Sequence, residues 1–408
     1  MSTNYKRVKL ACYATNSTMA VVSNLSPLLF LTFRSLYGIS YTLLGLLVLI
    51  NFVTQLLVDL VFSFYSHRID IPSAVKMMPW LGIIGLLIYS LGPLLAPGAA
   101  YGFLVVGTVV FSSCSGFGEV LVSPVIAAIP SDEPEREMSR LHSIYAWGVV
   151  GVVLVSTAFL LMFGGENWHW LALGLTAVPL TAAILYSTAE LPPMEAGGKT
   201  ESGSSLMKDS GLWLCFLALF LGGAAECTMA QWCSSYLEKA LEIPKVWGDV
   251  MGVALFAFTL GVGRSLYAKT GKNIVRVLLL GAVAASACYL TAALTSLPLL
   301  GLFACGLTGL CTAMMWPGGL ILASDRFPAG GVFLYAMMAA GGDLGASVGP
   351  QLVGVVTDLT MAGTKTAELA VRLGLQPEQL GMKLGMLVGL LFPLSAVLVY
   401  WKFRKKKS

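Results

Sequence analysis

The sequence predicts an all-α membrane protein of twelve transmembrane helices arranged as two six-helix halves. Three observations lead there. The 408 residues are 57% hydrophobic and only 11% charged, where soluble domains run near 25% charged. The apolar residues gather into twelve runs, each long enough to cross about 30 Å of hydrocarbon as a helix. The longest hydrophilic stretch before the C-terminal region, residues 189–211, falls between the sixth run and the seventh.

Each run has its own marks. The polar, basic Met1 to Lys9 leads into a span at 9–33, too long for a cleaved signal peptide. That span holds Asn16, Ser17, Thr18, Ser23, Asn24, Ser26 and Pro27 but no acid. Spans follow at 41–65, 74–95 and 101–129, the last containing Glu119. Spans at 140–163 and 168–188 flank the short turn Gly164-Gly165-Glu166-Asn167, on which a count of eleven or thirteen would turn. The second set lies at 212–237, 247–268, 274–295, 298–324, 330–356 and 384–403. Among its residues are Glu226 in the first span, Trp316 and Pro317 in the fourth and Asp343 in the fifth. The polar segment 358–383 is expected to carry a short surface helix from Thr366 to Leu373. The 44 glycines suit helices packed closely in lipid.

Charge sets the orientation. With the N-terminus in the cytoplasm, six of the 25 Lys and Arg face outside (Arg34, Lys239, Lys245, Lys365, Arg372 and Lys383) and the remaining 19 face inside. Both termini are then cytoplasmic, and so is 189–211, whose Pro192, Pro193, Gly197, Gly198 and Ser202 to Ser205 read as a flexible linker. The predicted domains are 1–188, the linker 189–211, and 212–408.

The halves echo each other. Pro124 precedes Ser131-Asp132 by seven residues, and Pro317 precedes Ser324-Asp325 by the same seven, an offset of 193 that Gly148 and Gly341 also keep. Internal repeats with a site at their interface are a transporter design.

The main chemical signal is acid within the apolar runs: Glu119, Glu226 and Asp343. A carboxylate at bilayer depth costs about 2.5 kcal/mol or more, so it faces a partner or water and marks a polar path. The eight cysteines are scattered, with no metal-ligand spacing and no disulfide framework. No Walker loop, His-rich cluster or nucleophile–base motif is present, so neither ATP drive nor enzymatic activity is indicated. No cofactor or metal is expected. The net charge of +4 sits at membrane edges and is no nucleic-acid signal.

Twelve spans, paired halves and the loop Gly263-Arg264-Ser265-Leu266-Tyr267-Ala268-Lys269-Thr270-Gly271-Lys272 resemble the major facilitator superfamily. That loop is similar to the superfamily's basic motif, which holds cytoplasmic helix ends together in one conformation. The matching His67-Arg68-Ile69-Asp70 is degenerate, with Asp59 before it. Gly116-Phe117-Gly118-Glu119 with Ser123-Pro124, Gly222 to Glu226 with Trp232 and Tyr236, Gly263-Arg264, and Met315-Trp316-Pro317 resemble the fucose–proton symporter group. The chain departs from that group in span one, where the group carries an aspartate tied to proton coupling. Glu119, Glu226 or Asp343 takes that role, or the protein is not a proton symporter.

The resemblance implies that spans one, four, seven and ten line a cavity. Glu119 and Glu226 are candidates for binding substrate or carrying a proton. Trp232 is a candidate apolar plate for a sugar face, or else an aromatic at headgroup level. Asn24 and Gln231 come into register if Gly45 is aligned with Gly252, and either binds solute or serves as an interhelical amide. Trp316 is a candidate substrate contact and Pro317 a gating bend, since proline frees a carbonyl. Asp343 carries a proton or stabilises one access state, with Arg264 its expected gating partner. His142 is read as a boundary histidine. The expected function is secondary transport of a small polar solute, a sugar, with proton coupling. The protein is expected to work as a monomer in a bacterial plasma membrane. The rival readings are a drug or organic-anion exporter or exchanger, and a transport-like membrane sensor.

Overall fold

The computed structural model describes residues 5–65, 69–132, 134–193, 206–270, 273–327 and 331–406. Most of the expected linker (194–205), His67 and Arg68 of the degenerate loop, Gly271 and Lys272 of the basic loop and the side chain of His142 lie outside the described residues.

The helices are α1 (Lys6–Tyr37), α2 (Tyr41–Tyr65), α3 (Ile71–Leu95), α4 (Ala100–Ala127), α5 (Pro134–Phe163), α6 (Trp168–Leu175), α7 (Ala177–Ser187) and α8 (Ser210–Leu241). They continue with α9 (Leu255–Thr270), α10 (Ile274–Leu294), α11 (Pro298–Thr312), α12 (Met315–Arg326), α13 (Gly331–Ala362), α14 (Thr364–Arg372) and α15 (Pro377–Lys406). Among the described residues eleven segments are long and apolar enough to cross a membrane, and α13, 32 residues long, is a further long helix.

Three spans expected as single rods are interrupted. Span six breaks at Thr176 into α6 and α7. Pro179, in the first turn of α7, has no N–H for the carbonyl of Leu175. Span eight opens with a helical turn, Lys245–Trp247, and a π-helical stretch, Gly248–Ala254, before α9 begins. Span ten breaks at Ala313–Met314 between α11 and α12. Helix ends are set by local chemistry: Asp70 Oδ2 accepts from Ser73 N (3.2 Å) to cap α3, and Asp209 Oδ1 accepts from Gly211 N (2.6 Å) to cap α8. The expected surface helix is α14. Its Thr366 Oγ1 bonds Thr360 O at 2.6 Å, while Leu369 and Val371 are exposed.

Contacts divide the chain into two compact units, Met1–Tyr37 with Ile50–Lys199, and Gly38–Leu49 with Thr200–Ser408. In the first, α1 packs on α4, α5 and α7, and α3 on α4, α6 and α7. Its core gathers Val8, Cys12, Met78, Leu121, Val125 and Tyr186. Lys9 of α1 pairs with Glu137 of α5 at 3.2 Å, and Tyr13 Oη donates to the same carboxylate (3.3 Å). Glu137 lies outside the apolar spans. Partial burial pushes its carboxyl up, but Lys9, Arg140 and Tyr13 outweigh that and hold it below the ordinary glutamate value.

In the second unit α8 is central, packed on α13, α15, α12 and α11. The glycines of α13 make the α8–α13 seam close. A methyl group on Gly345 would collide with the carbonyl of Phe220, and one on Gly223 with the carbonyl of Gly342. The first turns of α2 belong to this unit and are tied down at their N-terminus. Asp358 of α13 accepts from Tyr41 N (3.2 Å) and Thr42 N (2.6 Å), and Ser40 Oγ accepts from Leu43 N (3.3 Å). These are N–H groups that a helix start leaves without partners of its own. Tyr41 Oη also donates to Glu378 at 2.8 Å.

Candidate functional site

In the first unit the polar residues of α2 and α4 face each other. Asn51, Gln55 and Asp59 recur every fourth residue, so they share one stripe of α2. All three are buried. Asn51 Oδ1 accepts from Ser112 Oγ of α4 at 2.5 Å, and a methyl on Gly116 would meet Val58 and the backbone of Gln55. One turn beyond Ser115, Glu119 is exposed, and carboxylate oxygens of Asp59 and Glu119 lie within 4.8 Å of each other. Sequence reasoning singled out Glu119, read Asp59 only as a companion of the loop after span two, and passed over Asn51 and Gln55. The signal of the stripe was available as three polar side chains at i, i+4 and i+8 in an otherwise apolar run. Asn24 of α1 is buried, and its Nδ2 donates to Ala20 O of its own helix (2.9 Å). Its amide nitrogen thus serves α1 itself.

In the second unit Glu226 of α8 pairs with Arg264 of α9. Arg264 Nη2 reaches Glu226 Oε1 at 3.2 Å and Oε2 at 3.4 Å. Arg264 Nε donates to Ala313 O at 3.1 Å. Proline explains that second bond. In a continuous helix the carbonyl of Ala313 would receive the N–H of residue 317, but residue 317 is proline and has none. Pro317 stands in the first turn of α12, where a missing N–H costs nothing. Hence the expected bend at Pro317 is a break three residues earlier, and the carbonyl it frees is taken by Arg264. The repeat-related Pro124 sits inside α4 without such a break. The expected partner of Arg264 was Asp343. The ion pair formed is with Glu226. Asp343 is buried on α13, within electrostatic reach of Cys227.

The aromatic candidates divide. Trp232 is fully buried, its Nε1 donates to Pro350 O at 2.8 Å, and its ring packs 5.8 Å from that of Tyr41. Buried in this way, it offers no open face to a solute. Its size and its single N–H fill the gap between α8, α13 and the start of α2. Trp316 is half-buried at the start of α12, its ring lying over Gly342. Gln231 is buried in the unit that holds Glu226, whereas Asn24 belongs to the other unit. Near the C-terminal end of α8, Asp249 in the π-helical stretch is buried, pairs with Lys245 (3.2 Å) and accepts a hydrogen bond from Ser234.

No curated protein matches the chain. Among solved structures, the fold is similar to a bacterial homolog of the human lysosomal transporter Spinster (TM-score 0.78, 14% identity, covering 99% of this chain and 98% of that one). It is similar to a D-xylose-proton symporter (TM-score 0.74, 13% identity, 97% of each chain). It is also similar to the fucose:proton symporter of E. coli (TM-score 0.60, 15% identity, 97% of this chain and 99% of that one). At these identities the likeness is one of fold. The model of the Major Facilitator Superfamily matches residues 11–359, and the chain belongs to that superfamily of membrane transporters.

Proposed function

We propose that this transporter carries a small polar solute, a sugar in the first instance, by alternating access, and that a proton travels with it. The observation that carries the reading is the placement of carboxylates in membrane-spanning helices with polar company: Glu226 against Arg264, and Glu119 beside Asp59. Such groups are expensive in lipid and earn their place along a solute or proton path. The sugar–proton symporters among the fold neighbours support the choice of solute and coupling ion. In this reading residues 1–188 and 212–408 act as the two moving halves, joined by a cytoplasmic linker. Glu119 and Glu226 are the leading proton carriers, Asp343 is held in reserve, and Trp316 and Gln231 are the side chains nearest to the solute. Arg264 and the break before Pro317 form the gating element. The protein works as a monomer in the plasma membrane.

Uptake of labelled sugars into proteoliposomes, with and without a pH gradient, tests the proposal. Accumulation above the external concentration only when the outside is acidic is the expected result. Uptake indifferent to the gradient would reduce the protein to a facilitator. Absence of sugar uptake combined with dye extrusion from cells would replace the proposal by the exporter reading.

A further inference from the structure

We infer that Arg264 receives a carboxylate of the solute, so that the cargo is a polyhydroxy acid, a sugar acid, and that Glu226 yields the guanidinium to it on taking a proton. The inference rests on the proposed proton-coupled transport and sharpens its substrate class.

The geometry of Arg264 is the starting point. A neutral sugar requires no cation, and a guanidinium in a membrane-spanning helix is costly. This one is held for use. Its Nε is anchored on the Ala313 carbonyl that Pro317 leaves open, so the plane of the guanidinium is set from behind. Its contact with Glu226 runs through Nη2 alone, at 3.2 and 3.4 Å, the long end for a charged pair. The parallel two-nitrogen fork that arginine makes with a well-seated carboxylate is not formed. Among the described residues Nη1 donates to no protein group. The Arg264 side chain is 42% exposed and that of Glu226 15%. An arginine committed only to holding two helices together would use its fork and be covered.

The exchange balances in charge. A proton binds a carboxylate oxygen of Glu226 and the ion pair breaks. The solute carboxylate then takes Nη1 and Nη2 as a bidentate pair. One proton and one anion have entered, and the site carries the same net charge as before. Loss of the proton from Glu226 lets it reclaim Arg264 and expels the solute. The charged group facing Glu226 is Arg264 from α9, and Glu226, Arg264 and Asp343 of α13 all lie within electrostatic reach of the Cys227 thiol next to it on α8. Trp316, half-buried two residues past the helix break, offers apolar surface for the CH face of the same molecule.

The test uses the purified full-length protein in nanodiscs, with binding read by calorimetry at pH 6 and pH 8. The probes are D-glucuronate, D-gluconate, D-glucose and D-glucuronamide, the last keeping the shape of the acid without its charge. An acid should bind at least about tenfold tighter than the amide at pH 6, the worth of charge-assisted bonds, and should weaken at pH 8. Arg264→Gln should abolish that preference and Arg264→Lys should restore part of it. Glu226→Gln, which retains side-chain volume and serves if Arg264→Gln does not fold, should bind the acid equally at both pH values. Equal binding of acid and amide, or an acid preference that survives in Arg264→Gln, overturns the inference. If glucose binds while the acids do not, the sugar proposal stands and this inference falls. If no probe binds, both fall.

Discussion

Glu119 differs from Glu226 in the company it keeps. Glu226 faces a cation, whereas Glu119 faces a second carboxylate, Asp59, within 4.8 Å. Two like charges at that range repel. Converting Glu119 to Gln therefore removes repulsion along with charge, and the variant should be as stable as the parent or more so by up to about 1 kcal/mol. If Glu119 carries the coupling proton, the same variant loses uphill accumulation and keeps counterflow exchange. Counterflow and gradient-driven uptake, measured on one preparation, separate the outcomes. Loss of both together would make Glu119 a solute ligand, and retention of both would remove it from the mechanism. Asp59→Asn provides the control, since it relieves the same repulsion while leaving Glu119 ionisable.

At the scale of the element, two helix ends carry the argument. The break between α11 and α12 exists because residue 317 has no N–H to give the Ala313 carbonyl, and Arg264 uses the acceptor left over. Pro317→Ala supplies that N–H. The two helices should then tend to run on as one, with Arg264 displaced from Ala313. We expect unchanged or higher thermal stability in detergent together with a several-fold drop in transport; full activity would show that the break is dispensable. The second end is the start of α2, whose first N–H groups are satisfied by Asp358 of α13. Asp358→Ala leaves those groups to find water and should cost about 1–2 kcal/mol, in line with loss of a helix cap. Tyr41→Phe, which removes only the bond to Glu378, should cost about 1 kcal/mol or less. Thermal unfolding of the two variants side by side checks the order, and an Asp358→Ala variant as stable as the parent would discount the cap.

At the scale of the whole molecule, the positive residues crowd one set of helix ends, which predicts both termini and 189–211 in the cytoplasm and 358–383 outside. Cysteine accessibility at positions in each segment, in intact cells, measures this. Labelling of the 189–211 segment from outside would overturn the orientation and with it the proposed pairing of halves.

Much of this architecture is legible in the sequence because the bilayer imposes local rules. A backbone in hydrocarbon must satisfy its own hydrogen bonds, so a long apolar run becomes a helix whatever its neighbours do. An acid inside such a run stands out against its own surroundings, which is how Glu119, Glu226 and Asp343 could be named without a structure. The freed carbonyl at Pro317 was equally legible, since it follows from one missing N–H. What the sequence left open depends on which turns of different helices meet. Arg264 was expected beside Asp343 and pairs with Glu226; Trp232 was expected to face a sugar and lies sealed against Tyr41 and Pro350. Asp59 joins Glu119 because α2 and α4 lie side by side at that depth. The membrane determines that these groups need company, by local energetics that a single chain segment reveals. Only the tertiary packing decides which company, because a rotation or slide of one helix by a single turn exchanges every partner while leaving the hydropathy of the sequence unchanged.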